Sequence, residues 1–551
     1  MRNLLVAAGL SLVTVACATE REPEPVPPGL TVTTPTRGTI RGSLGTIEVR
    51  GQTAPSEATG AAIETVTVNG VPAVLAPDGS FVAVVGARPG ATMLQTVATD
   101  ADGLQATDTR TMLAGATTTA DAMIADAMTA AISAEAFNKM GDAAADILAG
   151  TDLKGMVAPM NPVLKAGLDF DAYPDSGEDC LWIKGDVTGF EFSDPRIRLI
   201  PYDGGMRLEA DFFDLHVPMS ARYEFSCIDG NDTLDIRANR VSIAGDLNIY
   251  AQNGGLHVDL QNADIDVDNL DFDGSGVPGA VLDLFAVDAL VEWALELGVE
   301  SFMEPTINEM LQGIGGVSKT MDLQGHTLEV DVVPEQFDFT TAGAKIRMST
   351  RLAVAGAEAG PGFIFTENTL PAMDTTTGFE IAVADDAANQ LLAGFWQVGA
   401  LNIGQPMEGG AFDAILADAK LPPMISADPT TGALRLIVGD MGIKFMKNGA
   451  PVAEVMLNLN IDLAVDASSG AVVLKLGAPE IHVDYADDVE NQTGFDKAAL
   501  EQMIPLAVDF EMGQMLPLLA AVPLPKIGGV ALTDLSIEGK AGYLTVSGVL
   551  E

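Results

Sequence analysis

The sequence predicts an α+β chain: a small sandwich of short strands at the N-terminus, followed by two larger units that combine helices with long antiparallel strands. Three observations lead there. Short alternating apolar runs, separated by turn signals about every ten residues, fill the stretch from Gly29 to Leu113. Much longer alternating runs follow, from Leu181 to Leu199 and from Met206 to Phe225 among others. The chain closes on an apolar helix end, a Pro-Leu-Pro break at 523–525 and two strands, within Met515 to Leu550.

The 551 residues carry 29 Lys and Arg against 77 Asp and Glu, a net charge of −48. Such a surface repels nucleic acid and anionic membranes, and a heavily solvated exterior explains it. At 48% hydrophobic residues the chain has material for large cores. Arg2, the apolar run Leu4–Val15 and then Ala16-Cys17 make a segment too short to span a bilayer and long enough for a secretory signal. The residues Val13-Thr14-Val15-Ala16-Cys17 resemble a bacterial lipobox, which implies a signal peptide over 1–16, cleavage before Cys17 and acylation of Cys17. In the sorting rule that goes with that resemblance, Ala18 fits delivery to the outer membrane. An acidic, Pro-rich linker over 17–28 then spaces the body from the anchor.

Residues 29–114 read as a β-domain: Thr46–Val49, Val66–Asn69, Phe81–Val85, Leu94–Ala98 and Thr107–Leu113, punctuated by Asn69-Gly70, Asp78-Gly79, Pro89-Gly90 and Asp102-Gly103. The string from Val66 to Gly103 resembles bacterial immunoglobulin-like modules, which serve as stalks. Asp100 and Asp102 read as turn formers before glycine, with calcium as the alternative.

The first larger unit is placed at 119–317. Thr119–Leu148, rich in Ala and Met, reads as helix. Long strands follow, then Thr233–Tyr250 and Gly255–Phe272, then a helix over Pro278–Leu311. The second unit is placed at 318–551: strands at Leu328–Val332, Lys345–Val354 and Phe379–Val383, a helix at Asp385–Trp396, strands at Ala433–Phe445, Ala453–Val465 and Ala471–Asp484. A terminal helix over Phe495–Leu519 and a hairpin turning at Gly539–Gly542 complete it. With Cys17 given to lipid, Cys180 and Cys227 remain. They flank the turn Pro201-Tyr202-Asp203-Gly204-Gly205 evenly, so a disulfide is expected at the far end of one long hairpin, worth about 3 to 4 kcal/mol.

Three segments carry a wider resemblance. GFEFSDPRIRLIPYDGGMRLEADFFDLHVPMSARY (from Gly189), GFEIAVADDAANQLLAGFWQVGALNIG (from Gly378) and MLPLLAAVPLPKIGGVALTDLSIEGKAGYLTVSGVL (from Met515) are similar to parts of the bactericidal/permeability-increasing protein and lipid-transfer family, the tubular lipid-binding (TULIP) proteins. The likeness spans about Thr119 to Leu550. It implies two elongated barrels, each a twisted antiparallel sheet around a long helix, joined by a central sheet, with lipid tails held in apolar pockets. It implies Val281, Leu284, Phe285, Leu311, Leu391, Leu392, Phe395 and Trp396 as pocket residues. No Lys/Arg cluster matches the one vertebrate members use for lipopolysaccharide phosphate. Members with a disulfide join a sheet strand to the helix, unlike the pairing expected here.

No motif asks for catalysis. The histidines, His216, His257, His326 and His482, are scattered, and no nucleophile elbow, zinc-protease helix or phosphate loop is present. The alternation Asp264-Ile-Asp266-Val-Asp268 reads as the wet face of a half-buried strand. Calcium is the minor alternative. The sequence therefore predicts an outer-membrane lipoprotein, not an enzyme and with no cofactor. It would bind lipid or another amphipath, with transfer as an extension of binding, and meet the membrane through its acyl anchor. The competing class is a structural or adhesive surface protein whose barrels are filled by side chains. Oligomeric state and the membrane face occupied stay open.

Overall fold

The computed structural model describes residues 26–167, 181–252, 255–274, 276, 317–323, 325–366, 368–402, 404–407, 412–427, 433–466, 473–485, 532–540 and 542–550. Among the described residues strands dominate and helices are few. The chain divides into two units. The first takes Met1–Thr36, Gly45–Gly86 and Leu94–Thr109; the second takes Arg37–Leu44, Ala87–Met93 and Arg110–Glu551.

In the first unit, Gly29–Thr34, Thr46–Ala54, Ser80–Gly86 and Val74–Leu75 form a four-stranded sheet in that spatial order. Ile63–Val68 pairs on one side with Val71–Pro72 and on the other with Ile63-to-Asp100 register along the Gly90–Asp100 strand. Alternate residues are buried, among them Ile47, Val49, Val66, Val68, Phe81 and Leu94. The tight reversal at Asn69-Gly70 needs two successive positive φ values, 49° and 76°, which Asn and Gly adopt most readily. Asp100 is buried and spends its Oδ1 on the turn, accepting from Asp102 N at 3.0 Å and Leu104 N at 2.9 Å. That is the turn-forming reading.

The second unit contains three seven-stranded sheets. The central one runs Val317–Leu323, His326–Thr340, Gly343–Val354, Ile124–Ser133, Phe379–Ala384, Tyr543–Leu550, Leu532–Lys540, every pair antiparallel. The other two are meanders built to one plan. In the first, the 21-residue strand Gly205–Phe225 and the 25-residue strand Ile228–Gln252 form a long hairpin. Gly205–Phe225 is flanked end to end by Leu181–Val187 and Glu191–Tyr202; Ile228–Gln252 is flanked by Gly255–Asp268 and Asp271–Asp273. Leu164–Gly167 closes the edge. In the second meander, Leu434–Lys447 and Ala450–Asp466 take the hairpin's place. Ala414–Ala419 and Met424–Ala427 flank one strand, Val473–Leu476 and Glu480–Tyr485 the other, and Gly404–Pro406 closes the edge.

Each meander follows a helix, and each helix follows a strand of the central sheet. Ile124–Ser133 leads into the helix Ala134–Ala149; Phe379–Ala384 leads into the helix Asp385–Gln397. These two strands are antiparallel neighbours, with Ala130 opposite Ile381. Each repeat then returns to the central sheet through a hairpin, His326–Thr340/Gly343–Val354 or Leu532–Lys540/Tyr543–Leu550. The topology is therefore duplicated, with the repeats meeting between Val354 and Phe379.

The structure corrects one sequence expectation. Only the second part of Thr119–Leu148 is helix; Ile124–Ser133 is a strand. Between two neighbouring strands in the middle of the sheet it is buried on both faces, so its apolar residues run continuously and carry no strand period. Ser133 then starts the helix, its Oγ accepting from Ala136 N at 3.0 Å. Three further expectations changed in detail. The run Leu181–Leu199 is broken at 188–190. Gly255–Phe272 divides at 269–270. Ala471–Asp484 divides around the loop at 477–479. The expected helices at 278–311 and 495–519 lie outside the described residues, as do Cys17 and Cys180. Cys227 sits exposed in the turn of the first long hairpin, at φ 62°. Leu181 pairs with Phe225, two residues before Cys227.

One core runs through the three sheets and both helices. The first helix approaches its meander closely: Gly141 is buried against Ile197, and a Cβ there would lie 3.1 Å from the Ile197 carbonyl carbon. A charged knot holds the Arg37–Leu44 and Arg110 segments on the second meander. Arg37 reaches Asp440 at 2.8 Å and Asp484 at 3.2 Å, and Gly38 N donates to Asp440 at 2.9 Å. Thr111 Oγ1 donates to Asn458 at 2.7 Å. Asp440 occupies a bulge at φ 46° and is fully buried.

Candidate functional site

The described pocket candidates all stand on the helix Asp385–Gln397. This helix is buried nearly all round although five of its thirteen residues are polar, as an element enclosed between layers must be. Residues 385 to 395 are buried throughout. Its end is set by Val398 N donating to Gly394 O at 3.2 Å and by Gly399 in the left-handed region at φ 77°. Gly394 lets the helix lie close on Gly343–Val354, since a Cβ there would stand 2.8 Å from Val354 Cγ2.

Leu391, Leu392 and Phe395 are 0% exposed. Phe395 meets the His326 ring edge-on, with centroids 5.9 Å apart. Trp396 is half-buried and donates through Nε1 to Ala419 O at 2.8 Å, tying the helix end to the second meander. The structure thus brings these four together as packed side chains. Val281, Leu284, Phe285 and Leu311 lie outside the described residues.

Sequence reasoning missed the polar residues that fix this helix. Asn389 behaves like a strand partner to Ile425: Nδ2 donates to Ile425 O at 2.9 Å and Oδ1 accepts from Ile425 N at 2.7 Å. Gln390 Oε1 accepts from Leu352 N at 2.7 Å, and its Nε2 donates to Ala122 O at 2.6 Å. Gln397 Nε2 donates to Gly362 O at 2.7 Å. Leaving such buried groups unpaired costs about 1–3 kcal/mol each, so these bonds fix the helix in one register. The available signal was the Asn-Gln pair inside an apolar helical run.

The first turn buries two carboxylates. Thr366 N donates to Asp386 Oδ1 at 2.9 Å; the Thr366 hydroxyl lies 3.0 Å from the same oxygen and 3.2 Å from Asp385 Oδ1. Asn368 Nδ2 donates to Asp385 Oδ1 at 2.6 Å and reaches Asp386 Oδ2 at 3.5 Å. Burial pushes Asp385 up to about 6, against the hydrogen bonds from Asn368 and Thr366. Burial, and then the charge of Asp385, push Asp386 up to about 7. Burial together with Asp126, Asp386 and Asp385 pushes Tyr543 up to about 12, and its hydroxyl donates to Asp126 O at 3.1 Å.

The inner faces of the meanders are the larger apolar surface. In the first, Leu199, Leu208, Val217, Met219, Leu234 and Ile243 are buried in alternating rows; in the second, Leu436, Val438, Ile443, Phe445, Val455 and Leu457 are. The outward rows are charged and paired across strands: Arg222 with Asp186 at 2.8 Å, Arg435 with Asp462 at 2.9 Å, and Arg240 with Asp266 and Asp268 at 3.4 and 3.3 Å. The Asp264–Asp268 alternation is therefore an outer face. The histidines stay apart: His216 lies between Glu191 and Asp235, His257 stacks on Tyr250, and His482 is 3.4 Å from Glu480. Among the described residues there is no cluster of three or more metal-ligating side chains. No described helix is long and apolar enough to cross a membrane.

No protein-family model and no curated protein matches the chain. Among solved structures, the crystal structure of lipopolysaccharide binding protein is similar, at 15% identity and a TM-score of 0.40, covering 77% of this chain and 99% of that one. At that level of likeness the functional reading rests on the chain's own geometry.

Proposed function

We propose that the second unit is a TULIP-type body that binds lipid or another amphipath between helix and meander, and that Cys17 carries the acyl anchor of an outer-membrane lipoprotein. The observation that carries the reading is the duplicated plan: central strand, helix, seven-stranded meander, return hairpin, with apolar inner and charged outer rows. The described parts of the three sequence segments similar to that family, 189–223, 378–402, 532–540 and 542–550, fall on this plan. Binding would be passive: tails leave water for an apolar interior at about 25 cal/mol per Å² of buried surface, and the headgroup stays at the mouth. No catalytic step is assigned. The immunoglobulin-like stalk at 29–114 and a Cys180–Cys227 disulfide belong to the same proposal. The pairing of Leu181 with Phe225, the sequence neighbours of the two cysteines, supports that disulfide.

The second reading, barrels filled by side chains, is favoured by one observation. The helix Asp385–Gln397 is packed on all sides and held by Asn389, Gln390 and Gln397. Organic extraction of the purified chain over residues 18–551, followed by mass spectrometry, separates the two. Co-purified or exchangeable lipid supports the first reading; its absence supports the second.

A further inference from the structure

The two repeats share one joint and finish it differently. In each, the first strand of the long hairpin changes its flanking neighbour part-way along. Val187 ends one flanking strand opposite Met219, and Ala419 ends its counterpart opposite Met441. An asparagine marks both ends: Asn161 Oδ1 accepts from Val187 N at 2.8 Å, and Asn402 Oδ1 accepts from Ala419 N at 3.2 Å. The next flanking strand starts with Glu191 opposite His216 in the first repeat and with Met424 opposite Ile437 in the second.

In the second repeat the chain closes this switch itself. Residues 421–425 are all buried. Leu421 and Met424 pack in a cluster with Ala91, Leu113 and Ile364, and Asn389 bonds both backbone groups of Ile425. In the first repeat Phe190 and Phe192, the latter at the place of Ile425, stay half-buried, as do Phe212 and Leu215. The rings form a row, with centroids 6.3 Å apart from Phe190 to Phe192 and 5.3 Å apart from Phe192 to Phe212, both pairs edge-on. Asn138, four residues after the start of the first helix as Asn389 is after the start of the second, is exposed. The hairpin's other strand switches neighbour at the same level: Arg237, opposite His216, pairs with Asp271, while Arg240 pairs with Asp268. There Leu270 and Phe272 are half-buried too. All six apolar side chains rest against the main core, so the surface they leave open is continuous with the interior.

The second repeat shows what chemistry covers such a switch: aliphatic side chains that bring no charge and ask for no hydrogen bond. A row of half-exposed rings favours cover of the same kind, because each ring gains by leaving water and offers no polar group to a charged or peptide ligand. An acyl chain meets both conditions. We propose that the strand switch of the first repeat, at Phe190, Phe192 and Phe212, is where one acyl chain of a lipid enters and lies, and that the second repeat is filled by its own side chains. The proposal rests on the lipid reading above and narrows it to one site per chain. It also accounts for the close packing of the helix Asp385–Gln397, which belongs to the second repeat alone.

The test is photocrosslinking of the unaltered chain over residues 18–551 with phosphatidylethanolamine that carries a diazirine in one acyl chain. The loaded protein is weighed by native mass spectrometry, irradiated and digested, and the adducts are located in the peptides. The expected result is one lipid per chain, with adducts in the peptides that contain Phe190 and Phe192, Phe212 and Leu215, or Phe272, all lost when excess unlabelled phosphatidylethanolamine is present. Competable adducts confined to the second repeat, or shared equally between the repeats, overturn this inference and leave the lipid reading standing. A chain that takes up no probe, or adducts that unlabelled lipid does not displace, overturn both.

Discussion

Gly141 offers a test in which local propensity and packing disagree. Replacing it with Ala should stabilise the helix Ala134–Ala149 by about 1 kcal/mol on propensity alone. Packing predicts the opposite. The added methyl would fall far inside contact distance of the Ile197 carbonyl oxygen, 3.1 Å from its carbon and 3.5 Å from Arg198 Cα. These are backbone atoms of a strand in register with Gly205–Phe225, where Ile197 stands opposite Ala210, so they do not yield locally. The helix must retreat, and a gap of about 0.5 Å forfeits about a quarter of each dispersion contact along the face carrying Phe137, Met140 and Ala144. We predict a net loss of about 1–3 kcal/mol. Gly150→Ala is the control: φ is −89° and the nearest atoms are 3.6 Å away, so its effect should be neutral or favourable by up to about 1 kcal/mol. Urea unfolding followed by tryptophan fluorescence suits the assay, because Trp182, Trp293 and Trp396 all belong to the second unit. A higher midpoint for Gly141→Ala than for wild type would refute the packing argument.

Phe395→Ala should cost about 3–5 kcal/mol in the same assay, because a side chain with 0% exposure leaves a cavity where it packed; a loss below about 1 kcal/mol would contradict the packing described for it. Arg37→Met should destabilise by about 3 kcal/mol near neutral pH, since it strands the buried Asp440 carboxylate, whose pKa burial already raises; the loss should shrink as the solution is made acid enough to protonate Asp440. A pH-independent loss, read from melts at pH 4 and pH 8, would show that the ion pair is not its cause.

Much of the architecture was legible in the residues. The turn at Asp203-Gly204, the long hairpins, the Asp385 helix and the closing hairpin follow from alternation and from glycine punctuation. The strand Ile124–Ser133 was not, because burial on both faces removes the two-residue period and leaves an Ala- and Met-rich run that reads as helix. The duplication was hidden for a related reason. It resides in strand pairing, which Ala, Val, Ile, Leu and Met satisfy interchangeably, so the repeats share topology without sharing sequence. At the candidate site, Leu391, Leu392 and Phe395 were legible as apolar. Asn389, Gln390 and the acid pair were not, because their partners at Ile425, Leu352 and Thr366 are set by tertiary packing.

The central claim, that the repeats enclose an amphipath, is tested most directly by native mass spectrometry. The chain over residues 18–551 would be stripped of lipid, incubated with phosphatidylethanolamine–phosphatidylglycerol vesicles and separated from them. The account predicts discrete species heavier than the chain by one or two phospholipid masses, lost again on organic extraction. A single species at the mass of the bare chain would contradict it.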